Sequence, residues 1–248
     1  MIPLEDCFND VVAKAQRGLG LSDAELGAAS GVPVASLAAV KGGVVDEDAL
    51  LKLAPALSLH GPSLVVMAQN GWQPRPVQLP GLAGFNTVYG DMTVNAFLVW
   101  DPATRAAAAF DTGADSQPML DFLANHELKL EKIFITHTHP DHIADLAALR
   151  HGSGCQAVFS HSKEPCEGTE TFDIDGQTSW QLGALRVEPR STHGHARGGV
   201  TYVITGLAQP VAVVGDALFA SSMGGGMVSY ADAPATNRKE IFSLPDDT

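Results

Sequence analysis

Three histidines and one aspartate stand within six residues of the chain, at His137, His139, Asp141 and His142. Imidazole and carboxylate groups are ligands for Zn²⁺ and related divalent ions. The chain of 248 residues contains nine histidines, so this local density is far above what composition alone would give. His137 and His139, two residues apart, can address one ion, while Asp141 and His142 can address a second. The pattern therefore predicts a metal site; the alternative interpretation is a polar loop with solvent-facing histidines.

Two later stretches offer further ligands. His193 and His195 lie in a glycine-flanked loop after a predicted strand, which would present an imidazole to a cleft. The apolar stretch 211–214 leads through Gly215 into Asp216, so a carboxylate would end a buried strand, where an unpaired charge is costly. Asp216 alone is equally consistent with a cap on the next segment. Beside the histidine motif, a metal-bridging carboxylate is the favoured interpretation.

The elements that must position these residues follow from periodicity and from turn-forming residues. Residues 1–72 have a helical pattern, in which Ser22 and Glu25 form a capping-box signature and Gly31 a stop signal. Residues 73–76, with two prolines, predict a linker. Helices are predicted at 23–29, 33–41, 46–57, 63–69, 117–126 and 143–150, and strands at 93–100, 106–110, 132–136, 157–160, 184–189, 200–205 and 211–214. This mixture of strands and helices after the linker indicates an α/β layered domain.

The series of motifs resembles that of the metallo-β-lactamase superfamily. The shared features are His-x-His-x-Asp-His at 137–142, Thr-x-Gly-His at 192–195, an apolar strand entering Gly-Asp at 215–216, and an Asp-x-Gly turn at 111–113. Within the superfamily, the chain looks most like the hydroxyacylglutathione hydrolase (glyoxalase II) and persulfide dioxygenase branches. The resemblance covers roughly residues 80–248.

The helical pattern, the linker and the resemblance together predict two domains, and the resemblance, carried over by position, implies a set of metal ligands. Residues 1–75 would form a small all-α helical domain, and residues 76–248 an αββα metallo-β-lactamase sandwich. The implied ligands are His137, His139, Asp141, His142, His195 and Asp216. The imidazoles at 137, 139 and 195 would bind the first ion, Asp141 and His142 the second, and Asp216 both. The expected ion is Zn²⁺, with Fe or Mn as alternatives.

Other polar residues near these motifs have different expected roles. His193 stands where the related branches have proline, so it is not expected to be a ligand, although it could compete with His195. His151 and His161 lie outside the motifs and are expected at the surface. Arg197, beside the metal loop, is equally consistent with contact to an anionic substrate and with a solvated side chain.

The implied chemistry is hydrolysis. A bound divalent ion lowers the pKa of its water to about 7 and so supplies hydroxide at neutral pH. Asp141 or Asp216 could take a proton from the attacking water. No Gly-x-Ser-x-Gly or histidine-paired cysteine signature offers a competing nucleophile. An ester-like bond, above all a thioester, is the expected target; a one-iron persulfide dioxygenase and a DNA-binding regulator with a metal-containing sensor domain are the alternatives.

Composition restricts the classes of partner. The formal net charge of −13 at pH 7 opposes attraction to nucleic-acid phosphates and to anionic membranes. Apolar runs end before the roughly 20 residues of a membrane span, and the N-terminus lacks the regions of a signal peptide. Cys7, Cys155 and Cys166 are widely spaced and odd in number, which favours a reducing cytoplasm. A small-molecule substrate is the expected partner.

Residues 19–57 resemble a helix-turn-helix of the Cro/repressor type, with residues 33–41 as the recognition helix. Its outward residues include Pro33, Ala35, Ser36, Ala38 and Ala39. Base reading generally needs Arg, Lys, Asn or Gln, and only Lys41 is charged. Residues 1–75 contain eight acidic and five basic residues, a net charge of −3. DNA binding is therefore not expected, and a scaffold for homo-oligomer contacts or for covering the active-site mouth is favoured.

The C-terminus departs from the family pattern, since proteins of these branches carry a Gly-His-Gly loop that gives the second ion another histidine. The sequence up to Thr248 lacks this loop, although residues 244–248 resemble the stretch just before it. We expect either that the natural chain continues or that this one lost the last element. Because the second site then has fewer ligands, we expect weak or absent occupancy. Metal counting by mass spectrometry tests this, and two tightly held ions per chain would contradict it.

Overall fold

Five α-helices form the N-terminal part of the computed structural model, which describes residues 4–176 and 178–248; residues 1–3 of the predicted helical region lie outside them. The helices are α1 (Phe8–Gly18), α2 (Asp23–Ser30), α3 (Val34–Lys41), α4 (Glu47–Ala56) and α5 (Gly61–Ala68). The predicted capping box begins α2: the Ser22 hydroxyl accepts from the Glu25 N–H at 3.2 Å, and the Glu25 carboxylate accepts from the Ser22 N–H at 2.8 Å. Gly31 ends α2 in the left-handed region, which glycine adopts without a Cβ clash.

The five helices pack around one apolar cluster. Leu26 of α2, Leu37 of α3, and Leu50 and Leu53 of α4 are fully buried in it. Burial of such side chains is the main favourable term in folding. Tyr230, from the far end of the chain, packs against the same cluster and joins the helices to the rest of the protein.

Two β-sheets follow the helices. The first has six strands hydrogen-bonded in chain order: β1 (Leu82–Tyr89), β2 (Met92–Trp100), β3 (Ala106–Phe110), β4 (Lys129–Phe134), β5 (Val158–His161) and β6 (Glu170–Phe172). β1 to β3 are antiparallel neighbours, whereas β3 to β6 pair in parallel. The second sheet is antiparallel and contains β7 (Trp180–Leu182), β8 (Leu185–Ser191), β9 (Val200–Thr205) and β10 (Val211–Val213). Its spatial order is β10-β9-β8-β7.

Helices lie against the sheets, and the two sheets face each other. The helices of this part are α6 (Gln117–Asn125), α7 (Pro140–Ile143), α8 (Leu146–Ser153) and α9 (Asp232–Glu240). Along β3, Ala107 and Ala109 belong to the cluster with α6 and α8, while Ala108 and Phe110 belong to the cluster between the sheets. α9 contacts β8 of the second sheet. This confirms the expected αββα layering. Within the described residues, no helix combines the length and the apolar character needed to cross a bilayer.

Some elements have no clear signal in the sequence. β1 contains Gly84 and Asn86, residue types depleted from strands, and its conformation is stabilised by pairing with β2. β6 and β7 have three residues each, too few for a periodic pattern, and the polar α9 was not predicted either. The helix predicted at 143–150 is divided, since α7 ends at Ile143 and α8 begins at Leu146.

Tyr202 on β9 supports the backbone that leads into the histidine motif. Its side chain is fully buried, and its hydroxyl donates to the Ile135 carbonyl at 2.9 Å. Tyr202→Phe would leave this carbonyl without its side-chain donor, and we expect the free energy of unfolding to fall by about 1–2 kcal/mol. Chemical denaturation followed by circular dichroism measures the change. Tyr89→Phe, at an exposed position, is the control, and equal stability of the two variants would contradict the prediction.

Candidate metal centre

The candidate ligands and one further carboxylate all follow the carboxyl ends of strands. Asp111 follows β3, His137 and His139 follow β4, His195 follows β8, and Asp216 follows β10. β3 and β4 are parallel, so their ends adjoin; β8 and β10 are both antiparallel to β9, so they also end on the same side. The two sheets therefore bring four loops to one place, the side of an α/β sheet where ligands commonly bind.

His137, His139, His195 and Asp216 form a close cluster, in which one ligand atom of each residue lies within 4.8 Å of the others. His139 Nδ1 is 3.0 Å from His137 Nε2 and 2.9 Å from His195 Nε2. His195 Nε2 is 3.3 Å from Asp216 Oδ2. A tetrahedral Zn²⁺ ion with bonds of about 2.0–2.1 Å spaces its ligand atoms about 3.3 Å apart. The four groups therefore fit a divalent ion of this kind.

A second group of donors adjoins the first through Asp216. His142 Nε2 is 3.1 Å from Asp216 Oδ1 and 3.5 Å from Asp141 Oδ2. The two oxygen atoms of Asp216 thus face different donors, because Oδ1 faces His142 and Oδ2 faces His195. The fold brings together all six residues singled out from the sequence. The arrangement suits a carboxylate that contacts two ions at once.

Asp111, which the sequence motif indicates only as part of an Asp-x-Gly turn, lies directly behind the cluster. Its buried carboxylate accepts hydrogen bonds from His142 Nδ1 and from both the backbone N–H and the hydroxyl of Thr136, each at 2.7 Å. Because the Thr136 hydroxyl donates its hydrogen bond to Asp111, it accepts one from His137 Nδ1 at 3.1 Å. Both imidazoles thereby direct Nε2 at the cluster. The signal that could have found Asp111 is its position at the end of a buried strand, the same feature that singled out Asp216.

His195 is oriented by the backbone of a glycine-rich segment. Its Nδ1 donates to the Gly225 carbonyl at 2.8 Å, which leaves Nε2 free to face the cluster. At Gly224, a Cβ atom would overlap the Asp216 carbonyl oxygen and lie 2.8 Å from His195 Nδ1. Glycine is therefore needed here because the backbone approaches two candidate ligands closely.

Burial and neighbouring charges set the protonation of the cluster. Burial lowers the pKa of His137 to about 2, and positive charge on His142 acts in the same direction. Burial also opposes charge on His142, but the Asp111 and Asp216 carboxylates outweigh it and raise the pKa of His142 well above its usual value. Burial favours the neutral form of Asp216, yet the imidazoles, His142 first, hold its pKa below the ordinary range. At neutral pH the cluster thus offers an ionised carboxylate beside a neutral His137, as cation binding requires.

The remaining polar residues near the motifs lie apart from the cluster. His193 Nδ1 contacts the hydroxyl of the serine two residues earlier, at 3.1 Å. His151 is exposed on α8, as expected. The expected surface position is wrong for His161, which is only 6% exposed because it ends β5 and packs beside the aromatic ring on β6. Arg197 is exposed, and its backbone N–H donates to Glu164.

A cavity of about 1070 Å³ opens beside the cluster. Asp141, His142, His195 and Asp216 lie on its wall, together with apolar residues of the β1–β2 hairpin and of β10. The N-terminal part of the chain contributes Glu5, Asp6, Asp10, Lys14 and Arg17. The helical region therefore reaches the space that a substrate would occupy.

Comparisons with known proteins give a family match and curated relatives. The family model described as metallo-beta-lactamase superfamily matches residues 89–248. A hydroxyacylglutathione hydrolase of Pseudomonas entomophila (strain L48) is 30% identical over 69% of this chain and 63% of its own length. A hydroxyacylglutathione hydrolase of Albidiferax ferrireducens is 31% identical over 58% of this chain and 56% of its own length. The chain thus spans 56–63% of the length of these two relatives.

Solved structures show a similar fold. BLEG-1 B3 metallo-beta-lactamase superposes with a TM-score of 0.55 at 23% identity, over 66% of this chain and 87% of that one. ETHE1 from Myxococcus xanthus superposes with a TM-score of 0.55 at 24% identity, over 67% of this chain and 72% of that one. At these identities the likeness concerns the fold alone.

The geometry around Asp111 gives a testable prediction about metal affinity. Asp111→Asn keeps the size of the side chain but removes the charge that orients His142 and, through Thr136, His137. We expect the affinity for Zn²⁺ to fall about 10–100-fold, as for other residues that orient metal ligands. Competition with a chromophoric chelator measures it.

Asp101→Asn is the matched control, because Asp101 is equally buried but caps a turn through Ala103, Thr104 and Ala184. We expect it to lower stability and to leave the metal affinity unchanged. Equal affinities of the Asp111→Asn variant and the unsubstituted protein would show that Asp111 does not orient the ligands.

Proposed function

Because the chain belongs to the metallo-β-lactamase superfamily, we propose that it is a metal-dependent hydrolase that cleaves an ester or thioester bond. The observation that carries the proposal is the position of Asp216 between two groups of donors, one on each carboxylate oxygen. The curated relatives named hydroxyacylglutathione hydrolase support a thioester as the bond that is cleaved. A small-molecule substrate is in keeping with the cavity beside the cluster.

The proposed ligands divide into two sets that share Asp216. His137, His139 and His195 would hold one ion with Asp216 Oδ2, and Asp141 and His142 would hold another with Asp216 Oδ1. The first set, with three imidazoles and one carboxylate, matches the preference of Zn²⁺ for nitrogen and oxygen donors in a tetrahedral arrangement. The donor chemistry thus favours Zn²⁺ as the resident ion.

The chain's own residues have distinct tasks in the proposed reaction. A divalent ion bound here supplies Lewis acidity and lowers the pKa of water to about 7. Asp141 and Asp216 line the cavity, where either carboxylate would orient the attacking water and accept its proton. Asp111 keeps the imidazoles of His137 and His142 in one tautomer. The apolar walls from β2 and β10 exclude bulk water and strengthen these electrostatic interactions.

The alternative function, a DNA-binding regulator, would need α3 to read bases, and we propose that α3 has no such role. Val34, Ala35, Ala38 and Ala39 are exposed on this helix and have no hydrogen-bonding group in their side chains. The Lys41 ammonium is paired with the Asp23 carboxylate at 2.7 Å. We expect no retardation of DNA in a gel-shift assay at physiological salt. Salt-sensitive binding to one sequence would favour the regulator instead.

His139 provides the decisive test of the hydrolase, because its Nδ1 contacts two other members of the cluster. For His139→Ala we expect loss of bound metal by mass spectrometry. Hydrolysis of glutathione thioesters should fall about 1000-fold, since several kcal/mol of transition-state stabilisation by the ion are lost.

His151→Ala, an exposed substitution on α8, is the control and should keep both metal and activity. Full activity of the His139→Ala variant would contradict the proposal. So would tightly bound iron in the unsubstituted protein together with oxygen consumption and no thioester hydrolysis, the signature of a persulfide dioxygenase.

A further inference from the structure

We propose that the Asp6–Lys14 ion pair is a positioning device for the metal centre. It fixes the backbone of residues 218–230, the segment after Asp216, and through that backbone the side chain of His195. The inference rests on the proposed metal site and adds a role for the N-terminal helices in it.

The Asp6–Lys14 pair contacts this segment at its middle. The Lys14 ammonium is 2.8 Å from both Asp6 carboxylate oxygens and donates to the Met223 carbonyl at 3.3 Å. The Ser222 hydroxyl donates to Asp6 at 2.7 Å. The same ammonium lies over the Phe219 ring, 4.8 Å from its centroid. Two charged groups near the N-terminus thus bind three neighbouring residues of the segment.

The Asp6–Lys14 pair is largely removed from solvent. Asp6 is 7% exposed and the Lys14 side chain 23% exposed. At this burial, removing the ammonium leaves a carboxylate in a poorly solvated place, which is far more costly than the loss of a surface ion pair. The pair can therefore hold the backbone of residues 218–230 firmly in place.

The two residues that follow Met223 contact the proposed metal ligands directly. The Gly224 N–H donates to the Asp216 carbonyl at 3.0 Å. The next carbonyl, that of Gly225, accepts from His195 Nδ1 at 2.8 Å. Displacement of Met223 would move both contacts, and with them the direction in which His195 Nε2 points.

The segment has little structure of its own to resist such displacement. Residues 224–226 are three consecutive glycines, which lose more conformational freedom on ordering than other residues. The only β-pairing described within 218–230 is a single bridge between Phe219 and Ser222. The position of the segment 218–230 must therefore be fixed by contacts with other parts of the chain.

A second contact with α1 lies at the end of the segment. At Gly18, a Cβ atom would overlap the Tyr230 ring, so helix and ring are in close contact. In the same part of the segment, the N–H groups of Val228 and Ser229 both donate to the Gly194 carbonyl at 3.0 Å, next to His195. The segment is held between α1 and the loop that carries His195.

Lys14→Met tests the proposal, because methionine keeps the apolar stem and removes the ammonium. In the metal-free full chain, we expect faster hydrogen exchange in 218–230 and unchanged exchange in α2 to α4. We expect the affinity for Co²⁺ to fall about tenfold, by analogy with other groups that orient metal ligands, and the absorption spectrum of bound Co²⁺ to change. Lys14→Arg, which keeps the positive charge, should restore the slow exchange in 218–230 and the Co²⁺ affinity.

Two further variants complete the design. Ser222→Ala leaves the ion pair in place and removes one hydrogen bond. It should therefore speed hydrogen exchange in 218–230 and weaken Co²⁺ binding, each by less than Lys14→Met does. Lys52→Met removes an exposed ammonium that is paired with Asp48, and should change neither.

The outcomes separate this proposal from the proposed function. Unchanged Co²⁺ affinity in Lys14→Met, or exchange that rises equally in α2 to α4 and in 218–230, would overturn the positioning role and leave the hydrolase standing. Failure of the unsubstituted protein to bind Co²⁺ would overturn the proposed metal site itself.

Discussion

The buried carboxylate of Asp111 accepts hydrogen bonds from Thr136 and His142, and the geometry of the candidate metal centre depends on this interaction. A buried charge must be compensated by donors, and here the donors are the residue just before the histidine motif and the last residue of that motif. The backbone of Asp111 has a φ of +59°, uncommon for a residue other than glycine. This turn directs the carboxylate back toward the end of β4, so one interaction joins the ends of two neighbouring strands and orients two imidazoles.

The candidate metal centre has an excess of carboxylates, which favours a cation. Asp111, Asp141 and Asp216 surround His142. Burial opposes a charge on its ring, but the Asp111 and Asp216 carboxylates raise the pKa of His142 well above its usual value. A proton on His142 therefore performs, in the protein alone, part of the neutralisation that a divalent ion would perform. The site combines a fixed excess of carboxylates with imidazole rings whose orientation is set in advance, so an ion that displaces the proton from His142 would require little movement of the ligands.

Whether a feature of this structure can be predicted from the sequence depends on how far apart along the chain the interacting residues lie. The capping box at Ser22 and the ligand spacing in 137–142 are local signals, so the corresponding helix and loop are predictable. β1 and the orienting role of Asp111 depend on partners far along the chain. The position of Asp111 at the end of a buried strand marks it as a candidate, but the linear pattern does not show which residues it contacts. The contact between Asp6 and Ser222 spans 216 positions, which is why the N-terminal helices look like a separate module in the sequence alone.

The loops that meet at the centre come from widely separated parts of the chain, beginning with Asp111 and ending with Asp216. During synthesis, Asp111 and the histidines emerge before the shared carboxylate of Asp216, and non-local contacts of this kind form late and slowly. An incomplete chain would hold imidazoles without the oxygen that joins the two donor sets, and would retain an ion poorly. Tight binding would thus be a property of the finished fold, and a bound ion would in turn stabilise the native state against unfolding by mass action.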